Sequence, residues 1–283
     1  MSEFLRPEEG ISNIEGAPEL NLEREDCERT ATFIRHPSTR LAEAMQQGTM
    51  ETPWDEIEDK IKIQRGPGHE MSKLLANHLL EEIPQLIDVK GSAESYMISS
   101  SPLPRAEAIA RYVNQHIIEE HKMHPGYPLP INRDVQLNSN FREIPIGHTK
   151  GQLAVMLGKI QQEGKPITAI LEEWFKSDPE YIASLFEEGR VRVLEGLAQL
   201  EHSPAWMNLV FTHRMITGLT TWLIEREDKQ RPIEAQDLPG IMEHTRILAN
   251  TSETEIGLSK GVWHVLRRGE TPHLDESLRK GVF

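Results

Sequence analysis

The sequence predicts an α/β fold, a three-layer α/β/α sandwich around a mostly parallel central sheet. Short β-branched or apolar runs at Thr30–Ile34, Tyr96–Ser100, Val135–Leu137 and Asn208–Thr212 have the length and composition of buried strands. Stretches with helical spacing separate them, and that alternation favours a parallel sheet. The 283 residues, 37% of them hydrophobic, suffice for one large domain or two small ones with an ordinary core.

Taken in order, residues 1–29 are acidic, contain Gly, Pro and Asn, and show no sustained period. They read as a mobile or loosely docked extension. Residues 30–283 read as a single domain. After the first strand, Leu41–Gln47 could start a helix. Gly68–Ile83 carries Met71, Leu74, Leu75, Leu79 and Ile83 on one helical face. Tyr96–Ser100 leads into a helix over Arg105–Glu119. A long helical region spans roughly Gln152–Leu200, broken near Gly164–Pro166 and Asp178–Pro179, and forms a helical insertion over about 150–205. Met215–Glu225 predicts a helix after the strand Asn208–Thr212. The tail from Thr245 holds short strand-like runs punctuated by Asn250, Gly257 and Gly261.

The net charge of -14 repels nucleic acid and anionic membranes at long range. No stretch approaches the ~20 apolar residues of a membrane span. The start, MSEFLRPEEG, has no basic segment leading into an apolar one, so it does not read as a secretion signal. A lone cysteine, Cys27, cannot form an intrachain disulfide and reads as an incidental thiol. The expectation is a cytoplasmic protein acting on a small molecule, with no nucleic-acid or membrane partner and compatible with a homo-oligomer.

Open α/β sheets bind ligands beyond the carboxyl ends of their strands. Arg35-His36 follows the first strand, Ser101-Pro-Leu-Pro-Arg105 the second, and His213-Arg214 the strand Asn208–Thr212; Phe141-Arg-Glu143 lies between the last two. Basic residues thus stand at three strand ends of an acidic protein. Each alone is usually structural. Their coincidence points to an anion site.

The same residues fall into ordered motifs. They are Arg35-His36-Pro37 after a strand, Gly68 to Leu75 opening a helix, Ser100-Ser-Pro-Leu-Pro-Arg105-Ala106, Arg142-Glu143-Ile-Pro-Ile-Gly147, Thr212-His213-Arg214, Asn250-Thr-Ser-Glu-Thr-Glu255 and Glu270-Thr-Pro-His-Leu274. In this order they resemble the histidine phosphatase superfamily, which includes the cofactor-dependent phosphoglycerate mutases. The likeness covers about residues 30–150 and 205–275. It implies a phosphoglycerate mutase-like domain and a phosphatase that hydrolyses a phosphomonoester through a phosphohistidine on His36. Catalytic roles would fall to His36, Glu143 and His213, and substrate binding to Arg35, Arg105 and Arg214. A neutral imidazole is a good nucleophile toward phosphorus. Guanidinium forks match phosphate oxygens. Glu143 would protonate the leaving alcohol and then deprotonate water. This scheme requires no cofactor and no metal.

The sequence departs from the superfamily pattern where Pro37 replaces a glycine, Ala42 an asparagine, Ile109 a threonine and Arg214 a glycine. Proline has no N–H to offer a phosphate. Arg214 either adds a positive group to the pocket or swings away from it. These departures keep two alternatives open, a catalytically weakened phosphate-binding or regulatory protein and a phosphoglycerate mutase-like phosphotransferase. Elsewhere, His116, His121 and His124 beside Glu119 and Glu120 read as a solvated helix end, because their spacing fixes no tetrahedral set. Trp174 and Phe175 read as core rather than lid, Trp54 as a pocket cover or surface anchor, and the acidic run Glu23–Glu28 as a solvated face.

Overall fold

The strand β1 (Arg29–Arg35) alternates its side chains between two hydrophobic clusters, with Ala31 and Phe33 facing one and Ile34 the other. Such two-sided burial is what a central strand requires. The computed structural model describes residues 22–37, 67–90, 96–145, 172–173 and 175–275. The readings of Leu41–Gln47, Ala42, Trp54, Gly147, residues 152–171 and Trp174 lie outside these.

The helix α1 (Pro67–Lys90) follows, then β2 (Tyr96–Ser100) and α2 (Pro104–Met123). The short β3 (Gln136–Leu137) precedes α3 (Pro179–Glu201), β4 (Met207–Thr212) and α4 (Arg214–Glu225). The chain continues through α5 (Leu238–Arg246), β5 (Glu253–Ser259) and β6 (Val262–Glu270). The sheet order is β3-β2-β4-β1-β5-β6. β3, β2, β4 and β1 run parallel to one another, β5 pairs antiparallel with β1, and β6 pairs antiparallel with β5.

Helices cover both faces. α1 and α2 pack Leu75, Leu79, Ile83, Ile109 and Val113 against Ile34, Ile98, Leu209 and Phe211. α3, α4 and α5 pack Phe186, Val193, Ile216, Leu219 and Ile241 against Phe33, Val210 and Ile256. The architecture is therefore the expected three-layer α/β/α sandwich. Ile109, the replacement for a polar threonine, is buried in the first of these cores.

Two expectations need correction. Gly257 does not punctuate the tail but lies inside β5, where an added Cβ would meet Cys27 Sγ at 2.3 Å. β6 is one nine-residue edge strand rather than a set of short runs. Arg24 ties the segment ahead of β1 to the domain through Glu255 and Glu82. Lys260 and Gly261, with φ of 52° and 71°, form the two-residue β5–β6 hairpin, whose turn type demands positive φ at both central residues. Phe175 is buried against Phe186, their ring centroids 5.7 Å apart, as a core residue would be. Among the described residues no helix is long and apolar enough to cross a membrane.

Candidate active site

The parallel register sets the site. Arg35 lies opposite Thr212 across the β1–β4 pair, and Ser100 lies opposite Phe211 across β2–β4. The ladder runs one step further, since His36 N–H donates to Thr212 O at 3.2 Å and Ser101 N–H to Phe211 O at 2.8 Å. Residues just past adjacent strand ends must then lie about one strand spacing apart, near 4.8 Å. The rings of His36 and His213 are 5.2 Å apart, centroid to centroid, at an interplanar angle of 62°.

The hydrogen bonds around His36 fix its tautomer. Arg105 Nε–H donates to His36 Nε2 at 3.2 Å. A guanidinium N–H can only donate, so Nε2 carries a lone pair and the proton sits on Nδ1. Nδ1–H donates to Pro37 O at 2.8 Å. Burial, with the neighbouring Arg105 and Arg35 charges, holds the His36 imidazole well below its ordinary pKa, so the ring is neutral near pH 7.

His213 is fully buried, and its Nε2 lies 2.8 Å from Ser101 Oγ. Ser101 Oγ already accepts from Leu103 N–H at 3.3 Å, which favours donation of the hydroxyl proton to His213 Nε2. The His213 proton is then on Nδ1, a buried atom with no hydrogen-bond partner among the described residues. Burial, followed by the Arg105 charge, also depresses the pKa of His213.

Glu143 closes the arrangement from the loop after a short 3-10 turn at Ser139–Phe141, tethered to the sheet by Thr212 Oγ1 donating to Phe141 O at 2.8 Å. Its Oε1 accepts from Ile144 N–H and Ile216 N–H, both at 3.1 Å. Ile216 lies in the first turn of α4, where free amides favour a carboxylate. Burial nevertheless dominates and raises the Glu143 pKa, against the opposing pull of Arg105 and the backbone amides. With Oε1 occupied by amides, Oε2 is the oxygen able to carry a proton.

Arg35 Nη1 donates to Leu248 O at 2.7 Å, while its buried Nε has no hydrogen-bond partner among the described residues. Burial, then the Arg214 and Arg105 charges, push the Arg35 pKa down to about 9, partly offset by Glu143. Arg214 uses Nε and Nη2 on the carbonyls of Thr245 and Arg246, at 2.9 and 3.0 Å. Those carbonyls belong to the last turn of α5, where a cation is favourable. Of the two orientations open for Arg214, the structure has its guanidinium turned onto α5. Three guanidinium groups against one carboxyl leave an excess of buried positive charge, the field a phosphate dianion would offset.

The structure thus gathers His36, His213, Arg105 and Arg35 at the carboxyl edge of the sheet. It links Glu143 to the same edge through α4 and places Arg214 behind them. Ser101, whose hydroxyl contacts His213 Nε2, was not singled out from the sequence, although it stands inside the Ser-Ser-Pro-Leu-Pro-Arg motif. His116, His121 and His124 do not converge. The first two bond to the carbonyls of Tyr112 and Tyr127, and the third pairs with Glu120.

The architecture defines a class of fold, that of the phosphoglycerate mutase-like structures. Two solved structures carry the comparison. Phosphoglycerate mutase from Bacillus anthracis aligns over 89% of this chain and 97% of its own, at TM-score 0.50 and 14% identity. Bacillus stearothermophilus YhfR aligns over 87% of this chain and 100% of its own, at TM-score 0.51 and 18% identity. No protein-family model and no curated protein sequence matches the chain.

Proposed function

We propose that the chain is a histidine phosphatase that hydrolyses a phosphomonoester through a phosphohistidine on His36. The observation that carries this reading is the Arg105 Nε–H···Nε2 His36 contact at 3.2 Å, which presents a neutral imidazole lone pair beside a phosphate-binding guanidinium. On substrate entry, Arg105 exchanges the imidazole for a phosphate oxygen and frees Nε2. Nε2 attacks phosphorus, the bond from phosphorus to the leaving oxygen breaks, and Glu143 Oε2 gives that oxygen its proton. Water then attacks the phosphohistidine, Glu143 takes its proton, and the N–P bond breaks to release phosphate. Arg35 Nε and His213 Nδ1–H, both otherwise unpartnered among the described residues, supply donors to the transferring group.

The hydrogen bonding of Pro37 and Arg214 favours an enzyme over a weakened binder. Pro37 contributes a carbonyl that orients His36, and Arg214 is held against α5. The test is incubation with a labelled phosphodonor, using the His36→Ala protein as blank. An acid-labile label on His36 followed by release of phosphate supports a phosphatase. Transfer to an acceptor identifies a mutase, and binding without a label identifies a non-catalytic binder; either result would overturn the proposal.

A further inference from the structure

On the other side of β1 from β4, three side chains from distant parts of the sequence turn ligand atoms toward one another. They are His78 in α1, Glu253 at the start of β5, and His273 in the segment after β6. His78 Nε2, Glu253 Oε1 and His273 Nδ1 all lie within 4.8 Å of one another. Glu253 Oε1 is 3.4 Å from His78 Nε2 and 3.3 Å from His273 Nδ1. Ligand atoms bound at about 2.0–2.1 Å to a tetrahedral zinc ion stand about 3.3–3.4 Å apart. The two separations from Glu253 Oε1 are therefore those of adjacent corners of one coordination tetrahedron.

The orientation of the groups favours a cation over a simple hydrogen-bonded cluster. All three atoms are buried and none has a hydrogen-bond partner among the described residues, although two pairs are within hydrogen-bonding distance. The tautomer of His273 agrees. Thr251 Oγ1 donates to Asn250 O at 2.7 Å, so it accepts from His273 Nε2–H at 3.0 Å. In the neutral ring this leaves a lone pair on Nδ1, facing a carboxylate oxygen. Two lone pairs 3.3 Å apart in a buried site are relieved by a metal ion or a proton between them. The Thr251 contact is the kind of outer hydrogen bond that orients a metal-bound histidine.

We infer that His78, Glu253 and His273 form a structural site for a divalent metal ion of the zinc type. Two imidazoles and one carboxylate suit zinc and its borderline neighbours better than magnesium or calcium. The fourth position would be taken by water or by Glu82, whose Oε2 lies 3.4 Å from His78 Nε2. The site would pin α1 and the last described segment to the 250–253 loop. That loop borders the candidate active site, because Arg35 N–H donates to Ser252 O at 3.0 Å. Its Thr251 sits at a φ of 54°, a backbone conformation that the surrounding contacts must hold.

The test uses the full chain stripped with a chelator. Zinc is titrated in competition with a chromophoric chelator, and cobalt is added separately to record its visible spectrum. The expected results are one ion per chain and the intense cobalt bands of a four-coordinate site. His78→Gln, Glu253→Gln and His273→Gln should each weaken binding roughly 10–100-fold or more. His124→Gln and His36→Ala should leave it unchanged. If a variant fails to fold by circular dichroism, the cobalt spectrum of the unaltered chain still decides. Absence of saturable one-to-one binding, or a weak six-coordinate spectrum, would mean the cluster is only a proton-bridged ion pair and would overturn the inference. So would binding that the three substitutions leave intact but His36→Ala abolishes.

Discussion

Replacing Glu143 by Gln is the sharpest probe of the proposed reaction, because the two oxygens of this carboxyl have different surroundings. Oε1 accepts from Ile144 N–H and Ile216 N–H at 3.1 Å each. A glutamine can present its carbonyl oxygen to the same amides, so the loop and the first turn of α4 keep their contacts. Its amide nitrogen then stands where Oε2 stood and cannot deliver a proton usefully. An alkyl phosphate leaves as a strongly basic alkoxide and depends on that proton. General acid catalysis contributes roughly 10²–10⁴-fold, so kcat/KM for an alkyl phosphate should fall by that factor, about 3–5 kcal/mol in the barrier. An activated aryl phosphate leaves as a weakly basic phenolate and should lose less than about tenfold. The assay compares kcat/KM for the two substrates in both proteins, with inhibition by inorganic phosphate as the measure of binding. Equal losses on the two substrates, or a large loss of phosphate binding, would show that Glu143 is structural or that another acid acts.

Ser101→Ala removes the hydroxyl that sets the His213 tautomer, 2.8 Å from Nε2. It should lower kcat roughly tenfold, corresponding to about 1–2 kcal/mol for one lost buried hydrogen bond; an unchanged kcat would show that His213 needs no positioning. Gly218→Ala should destabilise the fold at the α4–α5 crossing, because the new Cβ would meet Thr245 Oγ1 at 2.3 Å and Thr245 Cα at 2.9 Å. Overpacking of this kind costs about 1–3 kcal/mol, so Tm should fall by several degrees in a thermal melt, and an unchanged Tm would contradict the close approach.

Much of the fold was legible because its central strands advertise themselves. β1, β2 and β4 are buried on both faces, so their sequences are short apolar or β-branched runs. β6 is an edge strand with the sequence VWHVLRRGE, whose partly exposed charges blur any strand signal. α5 carries a weak helical signal because Pro239 and Gly240 stand in its first turn, yet proline is at home there, and Gly240 leaves room for the Trp222 ring. Gly257 read as punctuation because its neighbour Cys27 lies far away in sequence. The strand-end residues of the candidate site were legible for a topological reason, since parallel strands deliver the residues that follow them to one edge. The His78–Glu253–His273 cluster was not, because no spacing rule joins side chains from a helix, a strand and a tail segment that only the folded chain brings together.

Pro37 shows why a departure from a motif has to be judged by atoms rather than residue names. Proline removes a backbone N–H, and nothing at position 37 can donate to a phosphate. What position 37 contributes in the structure is its carbonyl, which accepts from His36 Nδ1–H at 2.8 Å, and proline retains that group. Proline also restricts the residue before it to extended backbone. That residue is His36, whose N–H continues the sheet ladder to Thr212 O at 3.2 Å. An extended His36 keeps the nucleophile beside His213 at the end of the neighbouring strand. The same residue that forfeits one phosphate donor thus limits the freedom of the imidazole and holds its proton on Nδ1. With the proton there, Nε2 faces Arg105 with its lone pair available, which is what in-line attack on phosphorus requires.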